Sequence, residues 1–154
     1  VKIDGDGQHD YESVKKVLKK VERNKFDYIK GFRDVKITKT QGMPFSRLMG
    51  SFFLTIISKL ITGNWVVRDI TNGLVALRLK FFKKFDQKQI RKNYFFEQDL
   101  FFFVCLYKGI ISEIKIRTIY KNETSNVRPL KVILPFIFYH LRNLTIKMNY
   151  LLRK

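Results

Sequence analysis

The first twelve residues, VKIDGDGQHDYE, constrain the fold more than any other stretch of the chain. Val1-Lys2-Ile3 reads as the tail of a β-strand and residues 4–7 as a tight acidic turn. Asp10 then caps a helix on which Val14, Val17, Leu18 and Val21 repeat at i, i+3, i+4 and i+7. A strand, a turn and a helix in this order form the unit of an α/β sheet, whose ligands gather at the carboxyl ends of the strands. The two glycines let a bulky ligand approach the backbone. Carboxylates at i and i+2 off a strand end, here Asp4 and Asp6, can hold a hard divalent cation and still leave positions for phosphate oxygens. Gln8 adds a neutral oxygen on the same side where the extended geometry continues. A lone D-x-D is more often a solvated turn; the longer D-G-D-G-Q-H-D at a strand-to-helix junction is more specific. The same opening has no charged leader followed by an apolar core, and it reads as an internal piece of a longer chain.

Further along, residues 26–31 (FDYIKG) read as a short strand ending at a glycine, and residues 34–42 as a polar loop. Pro44 starts a long amphipathic helix with Phe45, Leu48, Phe52, Ile56 and Leu60 on one stripe and Met49, Phe53, Ile57 and Ile61 beside it. Arg47 and Lys59 interrupt it, so it falls short of the roughly 18 to 20 apolar residues of a membrane span. A turn-rich connection around Asp69 and Gly73 leads to an apolar strand or turn at residues 74–77. Residues 97–107 (EQDLFFFVCLY) read as a buried helix stopped by Lys108-Gly109. Residues 114–120 (IKIRTIY) alternate apolar and polar as a half-exposed strand does.

At 154 residues, with 45% hydrophobic and 15% aromatic content, the chain forms one packed domain and is not disordered. Its 31 Lys+Arg against 13 Asp+Glu give a net charge of +18, a field that attracts any polyanion, whether nucleic acid, anionic lipid or nucleotide diphosphate. No recognition helix, zinc-knuckle spacing or ribonucleoprotein-type aromatic strand supports a specific nucleic-acid module. A single cysteine, Cys105, excludes an internal disulfide framework and a multi-cysteine zinc site. Cys105 and His140 sit in apolar helical stretches and read as core, and Trp65 as a buried anchor with a polar end rather than a sugar-stacking platform. His9 reads equally as a phosphate contact or a helix-start residue, and the sequons at Asn122 and Asn143 as chance matches. From Arg128 to the end there are six basic residues and no acid, on a helix rich in Ile, Leu, Phe and Tyr. That composition suits a helix lying on anionic lipid, or a final helix with a solvated basic face, with Pro135 kinking or splitting it.

Several motifs recur in a set order. They are D-x-D-x-Q-H at residues 4–9, Gly31 with Arg33 after the next strand, and Met43-Pro44 with Arg47 opening a helix. Thr62-Gly63-Asn64-Trp65 and Asp69-Ile70-Thr71-Asn72-Gly73 follow, then residues 94–100 (YFFEQDL) and residues 120–125 (YKNETS). In this order they resemble glycosyltransferase family 2, and in particular its polyprenyl-phosphate mannose/glucose synthase-like branch. The resemblance implies a GT-A fold, a Rossmann-like α/β domain with a parallel sheet, cut at its N-terminal side. Residues 1–127 would be the later part of the catalytic domain and residues 128–154 a basic amphipathic segment. The family's first half, with the acids that recognise the nucleotide, has no counterpart here.

The activity implied is transfer of a sugar, with inversion, from a nucleotide diphosphate sugar to a polyprenyl phosphate or a lipid-linked or polysaccharide acceptor, on the cytoplasmic face of a membrane. Asp6 and Gln8 would ligate Mg²⁺ or Mn²⁺ on the donor diphosphate, with Asp4 supporting the site or contacting the donor. Arg33 and Arg47 would contact phosphate, a task suited to planar guanidinium. A hydroxyl acceptor needs a general base, for which Asp69, Glu97 and Asp99 are candidates; Asp99 is favoured, with Asp69 organising the acceptor loop. An acceptor phosphate is already anionic and needs none. The competing reading is a basic nucleic-acid- or membrane-binding module without catalysis.

Overall fold

The computed structural model describes residues 1–5, 9–34, 45–117 and 129–153, without the side chains of Ser46, Arg47 and residues 129–134. Helix α1 (Tyr11–Glu22) begins where expected, with the Asp10 carboxylate accepting the Ser13 N–H at 3.2 Å. Its Val17 is fully buried while Lys15, Lys16 and Lys19 face outward. Strand β1 (Tyr28–Arg33) follows, then helix α2 (Phe45–Thr62), strand β2 (Val75–Leu77) and the short helix α3 (Leu79–Phe82). After a 3₁₀ turn at Gln87–Gln89 come helix α4 (Phe96–Leu106), strand β3 (Ile111–Ile116) and helix α5 (Pro129–Leu152).

The sheet runs β2-β1-β3. It is mixed rather than all-parallel, because β2 returns antiparallel to β1 whereas β3 joins in parallel after the α4 crossover. The strand tail at the start of the chain survives as one bridge. Lys2 and Val75 exchange both backbone hydrogen bonds, at 2.7 and 3.0 Å. Lys2, Val75, Lys30 and Glu113 therefore lie in one row across the sheet.

Alternation along β1 divides the core in two. Ile29 turns to α1 and packs with Val17, Leu74, Ala76 and Ile116. Tyr28 turns the other way onto Phe101 of α4, their ring centroids 6.1 Å apart. Helix α4 is apolar all round and buried from Gln98 to Val104, as a helix enclosed by sheet and neighbouring helices must be. It ends at Lys108, which takes a left-handed φ of 55°. A Cβ on Gly109 would meet Phe81 at 2.7 Å and Val104 at 2.9 Å, so glycine is required there by close approach.

Three expectations are corrected. Strand β3 starts at Ile111 and not Ile114, because parallel pairing with Tyr28 fixes its register. Helix α5 runs through Pro135 without a break, since one missing N–H near its start leaves the rest of the ladder intact. Trp65 is 63% exposed, with the Lys59 ammonium 5.6 Å from its ring, because Gly63 at φ 75° ends α2 and turns the chain outward. His140 and Cys105 are largely enclosed, as their apolar surroundings indicate. Burial, then Arg91, lowers His140 to about 4, and burial pushes Cys105 up to about 12. Truncating Phe101 to Ala should cost about 3 to 5 kcal/mol in denaturant unfolding, whereas Leu141→Ala on the exposed face of α5 should change stability by about 0.5 kcal/mol or less.

Candidate active site

Residues 69–74 form a turn held by a network of hydrogen bonds. The Arg33 guanidinium, from the end of β1, forks onto the Asp69 carboxylate, with Nε at 2.6 Å from Oδ2 and Nη2 at 2.8 Å from Oδ1. Nη2 also reaches Thr71 Oγ1 at 2.7 Å and Ser51 Oγ of α2 at 3.2 Å. The Ile70 N–H donates to Thr55 Oγ1, and the Leu74 N–H to Asn72 Oδ1. The Gly31 N–H donates to the Leu74 carbonyl at 2.9 Å. Burial alone would raise the Asp69 carboxyl. The adjacent Arg33 charge and its hydrogen bonds more than reverse this and hold Asp69 at about 2.

Gly73 is the point where this turn meets the acidic opening of the chain. A Cβ there would overlap the Asp4 carboxylate, so glycine is what allows Asp4 to rest on the turn. Asp4 is also bound by Lys2, whose Nζ lies 2.6 Å from Oδ1 and also donates to Glu97 at the start of α4. Burial works to lower Lys2, but the two carboxylates outweigh it and raise its pKa. On the same sheet face Lys30 is fully buried, and its Nζ donates to the Asn72 carbonyl. Burial lowers Lys30 to about 8, against the opposing pull of Glu97 and Asp69.

Of the residues singled out from the sequence, Asp4, Glu97, Asp69 and Arg33 are thus brought to one end of the sheet. Asp6 and Gln8 lie outside the described residues, as does the side chain of Arg47, though its backbone belongs to α2. Arg33 is engaged with Asp69, Thr71 and Ser51. Asp99 is placed elsewhere: it is 1% exposed and accepts from the Arg91 N–H at 3.1 Å, Arg91 Nη1 at 3.2 Å and Asn143 Nδ2 at 3.1 Å. Arg142 Nη1 stands 3.5 Å away, and the Arg91 guanidinium stacks on Tyr139 at 3.7 Å. This arrangement ties α5 to the first turn of α4. Sequence reasoning missed Lys2, Lys30 and Ser51; the one signal for Lys30 was a lysine at a core-facing position of a short apolar strand.

The architecture is a mixed α/β domain with an acidic turn seated on a network of paired charges. No family model matches the chain, and no solved structure matches it. Over 150 residues the chain is 30% identical to a UDP-N-acetylglucosamine--dolichyl-phosphate N-acetylglucosaminyltransferase of Methanococcus voltae, covering 97% of this chain and 58% of that protein. It is 33% identical over 141 residues to an uncharacterized protein of Methanocaldococcus jannaschii, covering 88% of this chain and 55% of that one. The similarity supports a glycosyltransferase relationship. The chain spans a little over half the length of each of these relatives.

The Asp69 shift has a consequence for stability. A carboxyl held below its ordinary 3.8 adds stability that is present above that value and lost as pH falls toward 2. Between pH 4 and 2 the protein should lose roughly 2 kcal/mol more than its Asp69→Asn variant does, measured by denaturant unfolding at each pH. Parallel acid limbs would show that Asp69 is not so held.

Proposed function

We propose that this chain is the catalytic, acceptor-side part of a GT-A inverting glycosyltransferase of family 2 that moves a sugar from a nucleotide diphosphate sugar to a polyprenyl phosphate. The observation that carries the reading is the seating of Asp4, of the D-G-D-G opening, on Gly73 of the D-I-T-N-G turn. Two motifs distant in sequence thereby meet at one strand end. The similarity to the Methanococcus voltae enzyme over nearly the whole chain adds to it.

The donor chemistry of this opening suits a divalent cation. The donors on offer are all hard oxygens, and the Asp4 carboxylate is 41% exposed at the strand end. Asp6 and Gln8 would hold Mg²⁺ or Mn²⁺, with Asp4 in support, and the ion would offset charge developing on the leaving diphosphate. In the transfer the acceptor oxygen bonds to the anomeric carbon while the carbon–oxygen bond to the diphosphate breaks, its electron pair leaving with the diphosphate.

The partners of the three candidate bases favour a phosphate acceptor over a hydroxyl. Asp69 at about 2 is too weak a base to take a hydroxyl proton efficiently. Glu97 is bound to Lys2, and Asp99 is surrounded by cationic and amide donors. A phosphate oxygen needs no proton removed. Asp69 and Arg33 then serve to shape the turn, and Asp99 to anchor α5, with Arg47 left as the candidate phosphate contact.

None of the described helices is long and apolar enough to cross a membrane. Instead α2 exposes Phe45, Phe52, Phe53 and Leu60, and α5 exposes Phe138, Leu141, Met148 and Leu151. Neither helix carries an acid. Apolar stripes accompanied only by cations suit an anionic lipid surface, where a polyprenyl phosphate resides.

Transfer from UDP-N-acetylglucosamine to dolichyl phosphate by the protein of the complete reading frame should require Mg²⁺ or Mn²⁺ and be lost in Asp6→Ala; full turnover in that variant would sink the metal assignment. Vesicles containing phosphatidylglycerol should carry the protein up a flotation gradient and phosphatidylcholine alone should not, with Phe52→Asp plus Phe138→Asp left at the bottom. Equal flotation of the double variant would remove the lipid-facing role of these helices.

A further inference from the structure

Lys30 stands out among the charged groups that the proposed chemistry does not use. It is 0% exposed on the central strand of the sheet, flanked by Val75 and Glu113. A lysine is retained in such a position only when something compensates the loss of water. Here the compensation is local: the ammonium donates to the Asn72 carbonyl, and the carboxylates of Glu97 and Asp69 exert a favourable field on it. Asn72 is itself 3% exposed, and its side-chain Oδ1 is taken by the Leu74 N–H. Its backbone carbonyl would lose that ammonium donor if Lys30 were replaced by an apolar residue. The next residue is Gly73, on which Asp4 rests.

We infer that Lys30 is a positioning residue. Its ammonium grips the Asn72 carbonyl from beneath and so holds Gly73 at the height that seats the Asp4 carboxylate. Arg33 fixes the front of the turn through Asp69 and Thr71, and Lys30 fixes the back. The charges around this point are Lys2, Lys30 and Arg33 with Asp4, Glu97 and Asp69, and Glu113 beside Lys30 in the sheet, itself paired with Arg68. Removing one buried cation leaves Glu97 and Asp69 in excess beside Asp4. The burial that lowers Lys30 to about 8 is consistent with this enclosure.

The test is amide hydrogen exchange on the whole protein with Lys30→Met and Lys30→Gln, the second keeping an N–H donor without the charge. In Lys30→Met the amides of residues 71–74 should exchange about ten-fold or more faster, as for loss of one hydrogen bond to a charged group, while the amides of α4 keep their rates. Lys30→Gln should fall between, and it decides the matter if the methionine variant does not fold. A lysine lowered to about 8 also makes the native state gain stability as pH rises from 8 toward 10.5, because the unfolded chain keeps its proton longer; neither variant should show that gain. Unchanged exchange at residues 71–74, or equal acceleration in α4, would overturn the positioning role.

The consequence for turnover rests on the transferase reading. Lys30→Met should lose about ten-fold or more in transfer to dolichyl phosphate, most of it recovered at raised Mn²⁺. Faster exchange with undiminished turnover would break the link from Lys30 to the site. Absence of turnover in the unsubstituted protein would instead remove the transferase reading, and the exchange rates would still decide the role of Lys30.

Discussion

The Arg33–Asp69 pair is the contact on which the arrangement of the site depends. Both side chains are more than nine-tenths buried, so each charge has given up its water and is held by the other, with the hydroxyls of Ser51 and Thr71 in support. A buried pair of this kind adds little net stability over apolar residues of the same shape, but it is costly to break, since either partner alone would be an unpaired charge in the interior. That asymmetry makes it a device for fixing geometry. It locks the end of β1 to the turn at residues 69–74 and brings α2 into the same network through Ser51. The turn in turn seats Asp4.

The remaining contacts extend the same logic to the first turn of α4. At its first turn Glu97 faces the sheet and binds Lys2, while Asp99, two residues on, faces α5 and gathers Arg91, Arg142 and Asn143. One helical turn thus carries two carboxylates with separate tasks, one on the candidate site and one on the helix proposed to meet the membrane. Beyond them the helix is aromatic and buried, with Phe101, Phe102 and Phe103 each within 3% of complete enclosure.

Much of this was legible in the sequence because it rests on local chemistry. The Asp10 cap, the i, i+3, i+4 repeat of α1, the apolar run of α4 and its stop at Lys108-Gly109 are all decided within a dozen residues, and the structure reproduces them. The order of motifs was also enough to gather Asp4, Arg33, Asp69 and Glu97. Long-range pairing was not legible. The start of β3 is set by its register against β1, and no pattern in residues 111–120 reveals that. The partners of charged residues were equally hidden: nothing in the sequence pairs Arg33 with Asp69, Thr71 and Ser51, or Asp99 with Arg91 and Asn143. Lys30 was passed over because a lysine is assumed to be solvated unless something in the fold shows otherwise.

The central claim is that the acidic opening and the D-I-T-N-G turn form one site for a metal-bound diphosphate. Paramagnetic broadening of backbone amides by Mn²⁺ in the presence of UDP tests it most directly. The account predicts that the amides of Asp4, Gly5 and Gly73 broaden first and together, ahead of those along α5. Broadening that begins at another cluster of carboxylates, or that reaches Asp4 without Gly73, would contradict it.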